Sequence, residues 1–355
     1  MAKVKEKIKK MSHYKPPLEG RSEKNYLLLD FNERTTEPSP KVKEALKKFI
    51  DSGKLQVYPE YGDLEAKIAK YAGVPAGEIM VTNGGDQGID IICRVHLDTG
   101  DKVIIPFPAF AMHYQSAGIQ GAEILEPPYN KDTGRFPLKE TLDLVSKDGG
   151  IKLVILCNPN NPLGSSIPIE DVEKILEKTK EKGIAVLHDE AYFEFSRITA
   201  KDLIEKYDNL YIMRTFAKAF GLVATRAGYV ISQEENIQQL LKIRGPYDVN
   251  MFAKTAIVAA LEDIKYMEDY VKEVMEKSKP KLEKFLREKR ILFYKSAANF
   301  LLIIVANPQK LIEGLKSQGI LVRPKPAPDG KTAIRVSIGT LKDTERFIKA
   351  LDTFF

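Results

Sequence analysis

Short apolar runs rich in Val, Ile and Leu alternate along this chain with stretches whose apolar residues recur at helical spacing. That alternation predicts α/β layers around a mostly parallel sheet. The runs place seven strands, at 79–82, 102–105, 123–125, 153–157, 184–188, 210–214 and 228–231. Several are apolar throughout, as expected of strands covered on both faces. Helices are expected between them, at about 63–71, 86–95, 169–182 and 200–206.

The pattern changes after about Pro246. A long helical stretch over 252–289 carries apolar residues at helical spacing among dense charge. Strands at 291–294 and 300–305, a helix at 308–317, strands at 320–323 and 333–337, and a helix at 343–354 then read as a smaller α+β module. The segment up to about Phe31 is expected to pack on that module. The division predicted is a large domain over 33–245 and a small one from 1–32 with 246–355, the long helix linking the two.

Length and composition agree. With 355 residues the chain exceeds one compact core, and 43% hydrophobic content is globular. The net charge of +6 comes from 55 basic and 49 acidic residues that are interleaved, which describes a solvated surface and not a nucleic-acid footprint. No apolar run reaches the length of a membrane span. The basic start, residues 1–10, lacks the apolar core of a secretory signal and is compatible with a surface helix. Cys93 and Cys157 sit in apolar runs and read as buried, unpaired thiols. No CxxC and no His/Cys cluster occurs, so no metal is expected. A cytoplasmic protein is expected.

The chemistry gathers in one stretch. Asp189-Glu190-Ala191-Tyr192 is followed by Lys218 within Thr215-Phe216-Ala217-Lys218-Ala219-Phe220-Gly221, and then by Arg226. An acid, a phenol, a lysine and an arginine in this order suit pyridoxal 5'-phosphate. The carboxylate would keep the pyridine nitrogen protonated, the phenol would bond the ring's 3-oxygen, and the lysine amine would form a Schiff base with the aldehyde. Thr215 and Arg226 could both face the phosphate. Each residue alone has an ordinary reading as a cap or surface group; the combination does not.

Other segments fall into place around it. Thr82-Asn83-Gly84-Gly85-Asp86-Gln87-Gly88 follows a strand and opens a helix, where free amides and small residues admit a phosphate. Its glycines lack the dinucleotide spacing. Phe110, after Pro108-Ala109, has two readings: a core aromatic, or a ring stacked on a planar ligand. Asn158-Pro159-Asn160-Asn161-Pro162-Leu163-Gly164 makes a turn at a strand's carboxyl end, where α/β sheets bind ligands, and Asn161 could donate to the 3-oxygen beside Tyr192. Arg335 alternates with apolar neighbours on a predicted strand. It is either an edge residue or a buried cation awaiting an anion, and Arg323 is a second such candidate.

From about Tyr14 to Thr340 the chain resembles the fold-type I pyridoxal-phosphate aminotransferases of class I/II, and among them the histidinol-phosphate aminotransferase branch. The matching segments are Asn32-Glu33, Tyr58-Pro59, the Gly84–Gly88 loop, Pro108-Ala109-Phe110, Asn158 to Gly164, Asp189 to Tyr192, Thr215 to Arg226 and Ile334 to Thr340. The resemblance implies a large domain with a mostly parallel seven-stranded sheet flanked by helices, a smaller α+β domain, and a homodimer with active sites at the subunit interface. It implies Lys218 as the Schiff-base lysine, Asp189 on the ring nitrogen, Asn161 and Tyr192 on the 3-oxygen and Phe110 on the ring face. Gly85, Asp86, Gln87, Thr215 and Arg226 would hold the phosphate, and Tyr58 would reach the partner subunit's cofactor. Arg335, with Arg323, would grip the anionic end of the substrate, near Tyr14 and Asn32.

The implied reaction moves an amino group from a donor, histidinol phosphate in this branch, to a 2-oxo acid such as 2-oxoglutarate. Lys218 would take the donor's Cα proton, which requires a lowered pKa. Aromatic or acidic amino acids are alternative donors, and threonine-phosphate decarboxylation is a further alternative on the same fold. A non-catalytic regulator would need a DNA-binding module, and no helix-turn-helix precedes the site. The chain departs from the branch at Leu163, Ala217, Arg34-Thr35 and His113. Arg34 is expected to add a cation near the substrate entrance.

Overall fold

A computed structural model describes residues 3–21, 25–147 and 149–355. Strands β1 (Leu27–Leu28), β2 (Ile79–Asn83), β3 (Lys102–Ile104), β4 (Glu123–Leu125), β5 (Ile151–Cys157), β6 (Ala185–Asp189), β7 (Leu210–Thr215), β8 (Ala227–Ile231), β9 (Leu292–Phe293), β10 (Phe300–Ile304), β11 (Ile320–Leu321), β12 (Arg323–Pro326) and β13 (Thr332–Ser337) form three sheets. The large one has seven strands in the order β2-β8-β7-β6-β5-β3-β4. From β7 to β4 all pairings are parallel; β8 lies antiparallel between β2 and β7. All seven predicted strands are present. The central β6, β7 and β8 are buried throughout, because helices cover both faces.

Three expectations change. The stretch 200–206 is not a helix but a single 3-10 turn, Lys201–Leu203. The long helix over 252–289 is broken. Met251–Leu261 ends at Glu262, a new helix starts at Ile264, and Asp263 between them leaves the helical conformation and accepts a 2.5 Å bond from Ser39 Oγ. The second helix runs on through a π turn, Val274–Ser278, into Lys279–Glu288. Helices Pro40–Asp51, Ala111–Gln120, Leu138–Lys147 and Glu234–Leu241 were not anticipated.

The C-terminal strands form a four-stranded sheet, β12-β13-β10-β9. The N-terminal segment joins this part as expected: β1 pairs in parallel with β11. The four residues after Leu28 then form a strap. Leu29 O accepts from Ser337 N (2.9 Å), Asp30 O from Arg335 Nη2 (2.6 Å), Phe31 O from Lys218 Nζ (3.1 Å) and Asn32 O from Asn299 Nδ2 (3.3 Å). Main chain 29–32 therefore ties the lysine segment to the smaller sheet.

Candidate active site

The carboxyl ends of β5, β6 and β7 open onto a cavity of about 570 Å3. Parallel strands bring their following loops to one edge, and ligands of α/β sheets collect there. The loop after β5 supplies Asn161, β6 ends on Asp189, and β7 leads through Thr215 to Lys218. The opposite wall comes from the N-terminal segment (Tyr14, Arg21, Phe31) and from β12 and β13 (Arg323, Lys325, Arg335).

Lys218 donates to the Phe31 carbonyl and, among the described residues, touches no carboxylate. Enclosure lowers its pKa to about 8; Arg335 and Arg226 push the same way, while Glu33 and Asp86 oppose them. An amine in that range is partly neutral near pH 7, as a nucleophile or base must be.

Asp189 is buried. Its Oδ1 accepts from Ala191 N at 3.0 Å, and its Oδ2 lies 2.9 Å from His113 Nε2. His113 is wholly buried on the helix Ala111–Gln120, so a second group orients the carboxylate from behind. Phe110 meets the His113 ring edge-on at 5.6 Å. The next residue, Glu190, is held by Arg214 at 2.8 Å and by His188 Nδ1 at 3.0 Å. This fully buried ion pair anchors the end of β6 beneath Asp189.

Tyr192 OH accepts from Asn32 Nδ2 (2.9 Å) and from Asn161 Nδ2 (3.1 Å). Burial raises its pKa, so the hydroxyl keeps its proton. Asn161 Oδ1 in turn accepts from Arg335 Nη1 at 2.7 Å. Arg335 is not an edge residue: β13 lies between β12 and β10, and its side chain is 4% exposed. Its Nε is buried without a partner among the described residues, as is Nη1 of Arg323. Burial lowers the Arg335 pKa and Arg323 adds to that. The remaining wall contains a stack, with the Arg21 and Arg323 guanidinium carbons 4.6 and 4.8 Å from the Phe31 ring centre.

At the other end, Gly84 and Gly85 open the helix Gly85–His96. A Cβ on Gly84 would lie 2.6 Å from Arg226 Nη2, and one on Gly228 would lie 2.7 Å from the Gly84–Gly85 peptide. Only glycines let β8 approach β2 this closely, and the result is a bare helix start facing a cation. Arg226, in the left-handed region at φ 57, donates to Asp86 Oδ2 at 2.9 Å.

Several predicted residues take other roles. The Asp86 carboxylate is bonded to Arg226, and an acid would repel a phosphate, so only its backbone at the helix start suits one. Gln87 does not line the cavity: its side chain binds Asn83 N and Asp248. Thr215 Oγ1 binds Ala227 O and Ala217 N, shaping the turn toward Lys218. Tyr58 is 73% exposed and packs on Tyr247, 4.5 Å between centres, away from this chain's cavity. Arg34 does not line the cavity. It donates to Ala219 O at 3.0 Å and lies over the Tyr266 and Tyr270 rings, 4.6 and 4.2 Å away. Unforeseen wall residues are Arg21, Glu33 and Lys325; His113 had been noted only as a departure. Its position three residues after Phe110, in the first turn of the helix that Phe110 precedes, was the available signal.

The constellation fits pyridoxal phosphate: an amine for the aldehyde, a carboxylate for the ring nitrogen, paired Asn161 and Tyr192 for the 3-oxygen, an aromatic face, and a bare helix start with a cation for the phosphate. A family model for aminotransferases of class I and II matches residues 24–351. The chain belongs to that family. Histidinol-phosphate aminotransferase of Staphylococcus carnosus (strain TM300) is 35% identical to this aminotransferase over 367 residues, 99% of each chain. In structure the aminotransferase is similar to histidinol-phosphate aminotransferase from Sinorhizobium meliloti in complex with pyridoxal-5'-phosphate (TM-score 0.87, 23% identity, 99% and 97% of the chains covered). It is also similar to histidinol-phosphate aminotransferase from Clostridium acetobutylicum (TM-score 0.80, 26% identity, 92% and 98% covered).

Proposed function

We propose that this protein transfers the amino group of histidinol phosphate to 2-oxoglutarate, using pyridoxal phosphate as cofactor. The carrying observation is the Lys218 amine, bonded to the Phe31 carbonyl and lowered to about 8, in one cavity with Asp189, the Asn161–Tyr192 pair and a cationic far wall. Full-length similarity to a histidinol-phosphate aminotransferase supports the choice of donor.

When bound, the cofactor supplies an electron sink for the charge left at the donor's Cα. Lys218 takes and returns the Cα proton. Asp189, oriented by His113, holds a proton at the ring nitrogen. Tyr192 and Asn161 donate to the ring oxygen, and Phe110 covers one ring face. The helix start at Gly85 and Asp86, with Arg226, takes the cofactor phosphate, Thr215 shaping the adjoining turn. Arg335 and Arg323 hold the donor's anionic end, with Tyr14 and Asn32 beside it.

The same proposal includes a homodimer in the cytoplasm, with Tyr58 reaching the partner subunit's cofactor. Tyr58 and Tyr247 at 73% and 54% exposure suit a contact between copies. No helix among the described residues is long and apolar enough to cross a membrane. The division into residues 33–245 against 1–32 with 246–355 also belongs to it; the Asn161–Arg335 bond would then cross the seam.

The test is a donor panel with 2-oxoglutarate as acceptor. Histidinol phosphate should give the highest kcat/KM. A preference for phenylalanine or glutamate would overturn the choice of donor.

A further inference from the structure

The far wall carries more positive charge than a carboxylate needs. Arg323 and Arg335 are direct cross-strand partners of β12 and β13, and Lys325 lies two residues along β12 from Arg323, opposite Ala333. A two-residue step returns a strand to the same face, and the small Ala333 leaves Lys325 room there. All three side chains line the cavity. Like charges directly opposite on a sheet are unfavourable unless an anion joins them. None of the three has a carboxylate partner among the described residues; the nearby acids Asp30 and Glu33 are bonded to Arg21. Among the described residues nothing satisfies the buried Arg335 Nε and Arg323 Nη1. Pro324 and Pro326 flank Lys325 and stiffen this edge strand. The lysine is therefore presented from a fixed backbone.

We propose that Lys325 is a specificity-determining residue: with Arg323 and Arg335 it completes a three-cation seat for a doubly charged phosphate ester, and it separates donors ending in phosphate from those ending in carboxylate. The assignment rests on the proposed function above. A carboxylate brings one charge and two oxygens, which two arginines satisfy. A phosphate monoester brings nearly two charges and three oxygens at neutral pH.

The charge on Lys325 is adjustable. Burial, then Arg335 and Arg323, lower its pKa to about 7. Tyr14 and Arg21 of the N-terminal segment and Glu33 after the strap share the cavity with it. On the helix Pro308–Ser317, which packs against both strands, the charged residues Lys310, Glu313 and Lys316 are exposed. An arriving dianion returns the proton to Lys325, so the seat is strong only for a ligand able to draw that proton in.

The experiment is steady-state kinetics of the holoenzyme with Lys325→Met and Lys325→Arg. The acceptor 2-oxoglutarate, which ends in a carboxylate, is the internal control. In Lys325→Met the KM for histidinol phosphate should rise about tenfold or more while kcat and the KM for 2-oxoglutarate hold. Above about pH 7 the wild-type donor KM should climb as Lys325 loses its proton; in Lys325→Arg the low KM should persist without that climb. An unchanged donor KM, or an equal rise for donor and acceptor, overturns the assignment. Should wild type refuse histidinol phosphate, the proposed function falls instead. The seat is then read from inhibition of glutamate turnover by inorganic phosphate: weaker in Lys325→Met supports it, equal inhibition refutes it.

Discussion

Asn161 Oδ1 accepts a 2.7 Å hydrogen bond from Arg335 Nη1 while Asn161 Nδ2 donates to Tyr192 OH. One amide thus links the group assigned to the cofactor's ring oxygen with the group assigned to the substrate's anion. Arg335→Ala should raise the donor KM by the equivalent of about 2–5 kcal/mol, the cost of truncating a desolvated charged pair. Combined with Asn161→Ala the losses should not add; a coupling of about 1–3 kcal/mol is expected from a double-mutant cycle. Additive losses would mean that the shared bond plays no part in turnover.

Asp189→Asn should retain cofactor and lose most turnover. An amide cannot hold the ring nitrogen protonated, so kcat should fall by about a hundredfold or more, ~2.7 kcal/mol. Near-normal kcat with cofactor bound would make Asp189 a cap of β6 and nothing more.

His113 touches Asp189 and, through it, positions that carboxylate. His113→Phe removes a hydrogen bond to a charged group, worth about 1.5–3 kcal/mol. The effect should appear in kcat with donor KM nearly unchanged, and His113→Asn should recover part of it. A loss confined to thermal stability would assign His113 to the core alone.

Cofactor capture by the cofactor-free protein should depend on pH in a definite direction. The pKa of Lys218 is lowered to about 8, so its neutral fraction grows through that value. The rate at which pyridoxal phosphate is trapped by borohydride on Lys218 should rise between about pH 7 and 9 and then level. Stability follows the same sign: the unfolded lysine, near 10.4, binds its proton more tightly, so this residue's contribution rises between about pH 8 and 10. A capture rate still climbing at about pH 10 would show an ordinary lysine.

Arg34, bound to Ala219 O and stacked over two tyrosines, supports the segment that carries Lys218. Arg34→Ala should lower the melting temperature and reduce turnover of phosphorylated and carboxylate donors alike. A selective loss of glutamate or aspartate as donor would place Arg34 at the entrance after all.

What was legible in the sequence was whatever is local. Asp189, Thr215 and Lys218 follow strands whose apolar runs are unmistakable, and strand ends collect ligands. The antiparallel placement of β8 was not legible, because an apolar run carries no direction. The helix Ala111–Gln120 has no apolar stripe; its buried positions include His113 and Ser116, chosen by contacts with the sheet. The contacts of Arg34 were not legible, because Tyr266 and Tyr270, which hold it, are distant in the chain. Lys325 falls between the predicted strands at 320–323 and 333–337, and only the register shows it two residues along from Arg323 and opposite Ala333.

The strap at residues 29–32 works through carbonyl oxygens, and a carbonyl oxygen is the same in every amino acid. Exchanging a side chain there leaves Arg335, Lys218, Asn299 and the Ser337 amide with their acceptors in place. Losing or gaining one residue is different. It shifts the carbonyl oxygens that follow along the chain away from the donors they now meet. Descendants of this gene should therefore hold this stretch to a fixed length.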